Sequence, residues 1–102
     1  MSEITQYLYT IKPARLEMLT TGPTSEEEGI LSRHFAHLQD MAQKGVVVLA
    51  GRTQTADDTT FGIVIINSDS EEEARQHMES DPAVEGGVMH AKLFPFRVAV
   101  MG

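Results

Sequence analysis

A chain of 102 residues, 41% of them apolar, has the length of one domain and enough hydrophobic content for one modest core, which excludes wholesale disorder. Eight basic against fifteen acidic residues give a net charge of −7, and a surface of that sign repels phosphate backbones and anionic lipid. Nucleic acid and membrane surfaces are therefore not expected as partners. Cysteine is absent, which excludes disulfides, a thiol nucleophile and thiolate metal sites, and fits a reducing compartment.

The start, Met1-Ser2-Glu3-Ile4-Thr5, has neither a basic n-region nor an apolar h-region, so no leader is expected. No apolar run approaches the ~20 residues of a membrane span. A cytoplasmic protein is the expectation, with residues 1–102 as a single domain.

Gln6 to Ile11 alternates, with Tyr7, Tyr9 and Ile11 on one side and Gln6, Leu8 and Thr10 on the other. That is strand periodicity, ended by Lys12-Pro13. The connection from Pro13 to Thr24 is long for so small a chain and contains the turn Thr20-Thr21-Gly22-Pro23. Segments of this length are lids and binding loops in some proteins and plain surface loops in more. The plain reading packs Leu16 and Leu19 down.

Ser25-Glu26-Glu27-Glu28 reads as a capping box, with Ser25 as N-cap and Glu28 reaching back. The acidic triplet suits the positive end of the helix dipole, so it marks a helix start and not a metal site. Ile30, Leu31, Phe35, Leu38, Met41 and Ala42 recur at helical spacing until Lys44-Gly45. Val46 to Ala50 and Phe61 to Ile66 are strands that are apolar on both faces; Gly51-Arg52 breaks the first and a polar turn joins the two. Ser70 and Glu73 start a second helix, which Asp81-Pro82 ends because a residue before proline is pushed out of the helical region. Gly86-Gly87 is a turn. Val88 to Val100 is a long final strand bent at Pro95, a residue suited to an edge.

The order β-α-β-β-α-β predicts an α+β, ferredoxin-like antiparallel sheet with both helices on one face. The two-faced strands add a requirement. Helices cover only one side, so the other side needs a cover, and a homodimer through the sheet face is the simplest.

No Ser-His-Asp signature, phosphate loop or Walker motif is present, and no cofactor is implied. His34 stands four residues from Ile30 and from Leu38, on the buried stripe of the first helix. There it reads as a hydrogen-bonded packing residue or as a catalyst. His34 and His37 could share a helix face, but a metal needs a third ligand and no known spacing supplies one; no metal site is expected. His37, His77 and His90 read as exposed polar positions. Asp81 reads as a turn residue, yet beside a histidine it could orient the ring and raise its basicity.

Arg33-His34-Phe35-Ala36-His37-Leu38, followed by Gly45-Val46-Val47-Val48-Leu49-Ala50-Gly51, resembles the helix-to-strand segment of the YciI-like (YCII-related) family. Ser70-Glu71-Glu72-Glu73-Ala74 leading to Asp81-Pro82 is similar as well, as is the ending from Val84-Glu85-Gly86-Gly87-Val88 to Leu93-Phe94-Pro95-Phe96-Arg97-Val98. The resemblance implies a ferredoxin-like fold that dimerises through its sheets, in the manner of the dimeric α+β barrels. It also implies a cleft with a histidine and an aspartate as an acid–base pair, here His34, eleven residues before Gly45, and Asp81. Some relatives are lyases or dehydrochlorinases acting on hydroxylated aromatic rings.

Two departures concern the cleft. Ala83 follows Asp81-Pro82 where many relatives carry an aromatic residue, and Arg52 follows Gly51 where they carry proline, adding a cation that could hold an anionic group. Two function classes follow. One is a small-molecule enzyme of lyase or isomerase type, with His34 and Asp81 catalytic and Tyr7, Gly51, Arg52, Pro95 and Phe96 contacting substrate. The other is a non-catalytic metabolite-binding or accessory dimeric module that uses the same cleft.

Overall fold

The computed structural model describes residues 5–102; residues 1–4, on which the expectation of no leader rests, lie outside it. The chain runs β1 (Gln6–Pro13), α1 (Glu17–Thr20), α2 (Ser25–Gln43), β2 (Val47–Arg52), β3 (Gly62–Asn67), α3 (Glu71–Ser80), α4 (Pro82–Glu85) and β4 (Met89–Phe96). The four strands form one antiparallel sheet in the order β2-β3-β1-β4. With its two long helices on one face, this is the ferredoxin-like α+β fold. No helix among the described residues is long and apolar enough to cross a membrane.

The alternation in β1 determines which side is core. Tyr7, Tyr9 and Ile11 are buried and stand opposite Ile66, Val64 and Gly62 of β3 and Pro95, Leu93 and Ala91 of β4. Onto this side pack Leu38 and Met41 from α2, Ala74 and Met78 from α3, and Val84 from α4. Each fully buried aliphatic or aromatic side chain contributes about 1.5–3 kcal/mol relative to exposure. The opposite side carries Leu8, Ile63, Ile65, Leu49, Phe94 and Phe96, and no helix among the described residues covers it. Leu49, Phe94 and Phe96 are exposed there.

Several local expectations shift, each for a physical reason. Helix α2 is capped by Thr24 and Glu27, not by Ser25 and Glu28: the Glu27 amide donates to Thr24 Oγ1 at 3.1 Å and the Thr24 amide donates to Glu27 Oε1 at 2.8 Å. Both frames satisfy the motif. The Arg15 guanidinium decides between them by gripping Glu27 at 2.6 and 3.1 Å, and it holds the Glu27 carboxyl down at about 2. The helix ends as expected, with Gly45 at φ +78, a left-handed conformation that glycine adopts without steric cost. In the Pro13–Thr24 connection Met18 is buried, whereas Leu16 is exposed and α1 supplies a helical turn. Phe35 is 67% exposed, because it lies about 140° around the helix from Ile30.

Strand β1 continues through Lys12 and Pro13, paired with His90 and Met89. Gly51 and Arg52 do not break β2; they pair with Ile63 and Gly62, because an irregularity between Val47 and Leu49 inserts one extra residue. Strand β4 stops at Phe96 and does not run to Val100. Pro95 stays in the ladder opposite Tyr7, since β4 is an edge strand and needs N–H donors on one side only.

Candidate active site

Helix α3 stops at Asp81, whose extended backbone (φ −61, ψ 124) also serves as the N-cap of α4. Pro82 imposes that stop. The turn drops the Asp81 side chain between α2 and the sheet, where it is 0% exposed. Its Oδ1 accepts from the Ala83 amide at 3.0 Å and lies 2.6 Å from His34 Nδ1; its Oδ2 accepts from the Tyr9 hydroxyl at 2.7 Å. Helix α2, strand β1 and the α3–α4 turn thus meet on one carboxylate.

Burial pushes the Asp81 carboxyl up, but the hydrogen bonds from His34 and Tyr9, the His34 charge and the Ala83 amide together hold it below the usual carboxylate range. Burial, then the Asp81 charge and the hydrogen bond to it, pushes the Tyr9 phenol up, so Tyr9 stays protonated as a donor. An ionised Asp81 only accepts, so whenever His34 is neutral its ring proton sits on Nδ1. Nε2 then carries the lone pair. Among the described residues Nε2 has no hydrogen-bond partner, and His34, though buried, lines a cleft.

His34 lines a cleft of about 380 Å³. Its walls are α2 (Leu31, Phe35, Leu38), the connection after β1 (Met18, Leu19, Pro23), the end of β2 (Ala50, Gly51, Arg52) and the start of β3 (Phe61, Gly62, Ile63, Val64). Gly62 lines the cleft without a side chain, and a Cβ there would stand 2.9 Å from Ile11 Cγ1. The volume is that of a small-molecule site with mostly apolar walls and few polar groups.

Of the sequence-predicted residues, the structure brings together His34 and Asp81, and it sets Gly51 and Arg52 on the same cleft. Tyr7, Pro95 and Phe96 do not line it. Tyr7 is buried in the core, Pro95 stands opposite it on the far edge strand, and Phe96 faces the uncovered side of the sheet. Sequence reasoning missed Tyr9, and also Thr60, a buried residue that lines the cleft. Tyr9 reads as one more apolar strand residue, and only its hydroxyl, a donor that must find a partner when buried, hinted at more. Thr60 sits in a polar turn with no periodicity. Among the described residues, no three His, Asp or Glu side chains gather closely enough to hold a metal ion.

Comparisons with known proteins give the family and a similar fold. The profile of the YCII-related domain matches residues 6–97. The chain belongs to the YCII-related family. Among solved structures it is similar to 5-chloro-2-hydroxyhydroquinone dehydrochlorinase (TftG) from Burkholderia phenoliruptrix AC1100, determined in complex with 2,5-dihydroxybenzoquinone. The TM-score is 0.65 at 20% identity, over 90% of this chain and 93% of that one, a likeness of fold. A search of the curated proteins finds no match.

The three donors to Asp81 make the acid limb of stability a test of the site. A carboxyl held below its unfolded value of ~3.9 stabilises the fold above that pH, and the stabilisation is lost as pH falls through the folded value. Tyr9→Phe removes one donor and raises the folded value. It is expected to cost about 1.5–3 kcal/mol at pH 7. The drop in urea midpoint between neutral and strongly acidic pH should also be smaller than in the wild-type protein. Glu27 and Asp57 are likewise held low and titrate in the same window, so the difference between the two proteins isolates Asp81. An unchanged acid limb would show that Tyr9 does not act on the carboxylate.

Proposed function

We propose that this protein is a small-molecule enzyme of lyase or isomerase type in which His34 moves a proton and Asp81 orients it. The observation that carries the reading is a fully buried carboxylate at 2.6 Å from Nδ1 of His34, a histidine that lines the cleft. Burying a charge costs several kcal/mol unless its hydrogen bonds are made, and a packing histidine has no need of such a partner. The arrangement suits general acid–base work: the tautomer is fixed, the ring is held, and the imidazolium formed on proton capture is stabilised. Family membership and the fold shared with a dehydrochlorinase support the same class.

In the proposed step the Nε2 lone pair takes a proton from a C–H or O–H of the substrate, and the electron pair of that bond stays on the substrate. An isomerase then returns the proton to a different atom. A lyase instead expels a leaving group with its electron pair, and His34 releases the proton to water.

The experiment is proton exchange followed by NMR in D2O, with hydroxylated aromatics and enolisable carbonyl compounds as probes. Exchange of a substrate C–H with solvent, or a new product, is the expected result. Binding without exchange or product across that set would overturn the catalytic reading in favour of a non-catalytic metabolite-binding module.

The same reading takes residues 1–102 as one domain, active as a homodimer in the cytoplasm. The absence of cysteine supports the compartment. The dimer is supported by the uncovered sheet side, where exposed Leu49, Phe94 and Phe96, with half-buried Leu8 and Ile63, make an apolar surface of the kind that marks an interface. Two copies stacked face to face, with sheets ~10 Å apart, would cover it symmetrically. Wild-type protein is expected to sediment as a dimer. Phe94→Glu, which sets an unpaired charge in that contact, should weaken dimerisation at least ~100-fold while leaving the circular dichroism unchanged. A monomeric wild-type protein would rule the interface out.

A further inference from the structure

Arg52 is the only lysine or arginine lining the cleft among the described residues, and no Asp or Glu lines it. This is notable in a chain with fifteen acidic and eight basic residues. Arg15, Lys44 and Arg75 each pair with a carboxylate, whereas no described carboxylate lies within 4.0 Å of Arg52. Its position depends on the irregularity in β2. Side chains alternate along a strand, so without the extra residue between Val47 and Leu49 an uninterrupted β2 would turn Arg52 to the opposite side of the sheet from Val47. With it, Ala50 and Arg52 share the cleft side with Gly62 and Val64.

The guanidinium is anchored from behind. Arg52 is exposed and lines the cleft, and its Nε donates to the Thr53 carbonyl at 3.2 Å, so the Nη groups are not used by that bond. The turn that follows is tied by its own hydrogen bonds: the Thr53 amide to the Phe61 carbonyl at 2.9 Å, the Phe61 amide to Thr53 Oγ1 at 3.1 Å, and Thr55 Oγ1 to Thr60 Oγ1 at 2.7 Å. A planar cation presented on an ordered turn, beside apolar walls and without an internal counter-ion, matches the geometry of a carboxylate.

We propose that the cleft takes a mostly apolar small molecule bearing one carboxylate, which Arg52 grips while the body lies against Leu31, Phe35, Leu38 and Phe61 beside His34. The cavity volume, at ~30 Å³ per water-sized group, sets the size at about a dozen non-hydrogen atoms. The inference rests on the cleft being the working site, and it names the class of substrate for that site.

The test uses matched acid and amide pairs: benzoate with benzamide, phenylacetate with phenylacetamide, and cinnamate with cinnamamide. Each is titrated into the full-length protein and followed by the backbone amide resonances. Acids should bind ~10-fold or more tightly than their amides. In Arg52→Gln that ratio should fall below about 2-fold with amide affinity unchanged, and Arg52→Lys should restore part of it. Amides binding as tightly as acids, a preference that survives Arg52→Gln, or no acid binding at ~10 mM would each overturn the proposal. His34→Gln separates the two readings. If that variant binds the acids like the wild type, carboxylate capture stands whether or not His34 moves a proton; if neutral compounds undergo His34-dependent exchange while acids do not bind, the substrate class fails and the acid–base reading stands.

Discussion

Asp81→Ala is expected to remove about 3–5 kcal/mol of stability, the cost of breaking a buried pair and leaving its partners unsatisfied. Three donors lose their acceptor at once: His34 Nδ1–H, the Tyr9 hydroxyl and the Ala83 amide. The site cannot recruit water readily, because Asp81 and Ala83 are both 0% exposed and Tyr9 is 2% exposed. Small domains hold only about 5–15 kcal/mol in total, so the alanine variant stands near the folding threshold. Asp81→Asn retains the shape and an acceptor oxygen and should lose less. The expected order of loss in urea unfolding, at one fixed protein concentration, is Asp81→Ala, then Asp81→Asn, then Tyr9→Phe. An alanine variant within ~0.5 kcal/mol of wild type, the usual range for surface changes, would mean that this carboxylate does not organise the fold.

His34→Gln is expected to lower the proton-exchange rate by about 10²–10⁴-fold, the range for a positioned acid–base group, with the fold retained. Gln fills much of the ring's space but has no lone pair of suitable basicity. Asp81→Asn should lower the rate comparably for a different reason. The Asn amide can donate to Nδ1, which moves the ring proton to Nε2 and blocks the base; where a carboxylate fixes a catalytic tautomer in other enzymes, the same change costs about 10⁴-fold. Because the two variants act on one unit, their combination should be no worse than the poorer single change. Exchange that persists in His34→Gln would assign the chemistry to another group.

Several features were legible in the residues themselves. Tyr7, Tyr9 and Ile11 alternate, Ser70 and Glu73 start a helix, Gly45 ends one and Pro82 ends another; each follows from a periodicity of two or 3.6 or from a local backbone preference. The pairing of His34 with Asp81 came by resemblance, since no local rule relates positions 47 residues apart.

Tertiary contact decided the rest. Arg15 selected the capping frame of α2, although Thr24 and Ser25 offered equivalent ones. The third member of the site, Tyr9, is set by which strand residue ends up under the α3–α4 turn. Tyr7, with the same residue type on the same face, is in the core as well but has no hydrogen bond to Asp81. Arg52 turns toward the cleft because β2 pairs with β3 through an extra residue, and register is a property of two strands together. The sequence by itself determined the four strands, the two long helices, their order and the apolar face left over, because those depend on neighbours along the chain. Only the tertiary structure decided which polar groups share the cleft, because that depends on which elements meet.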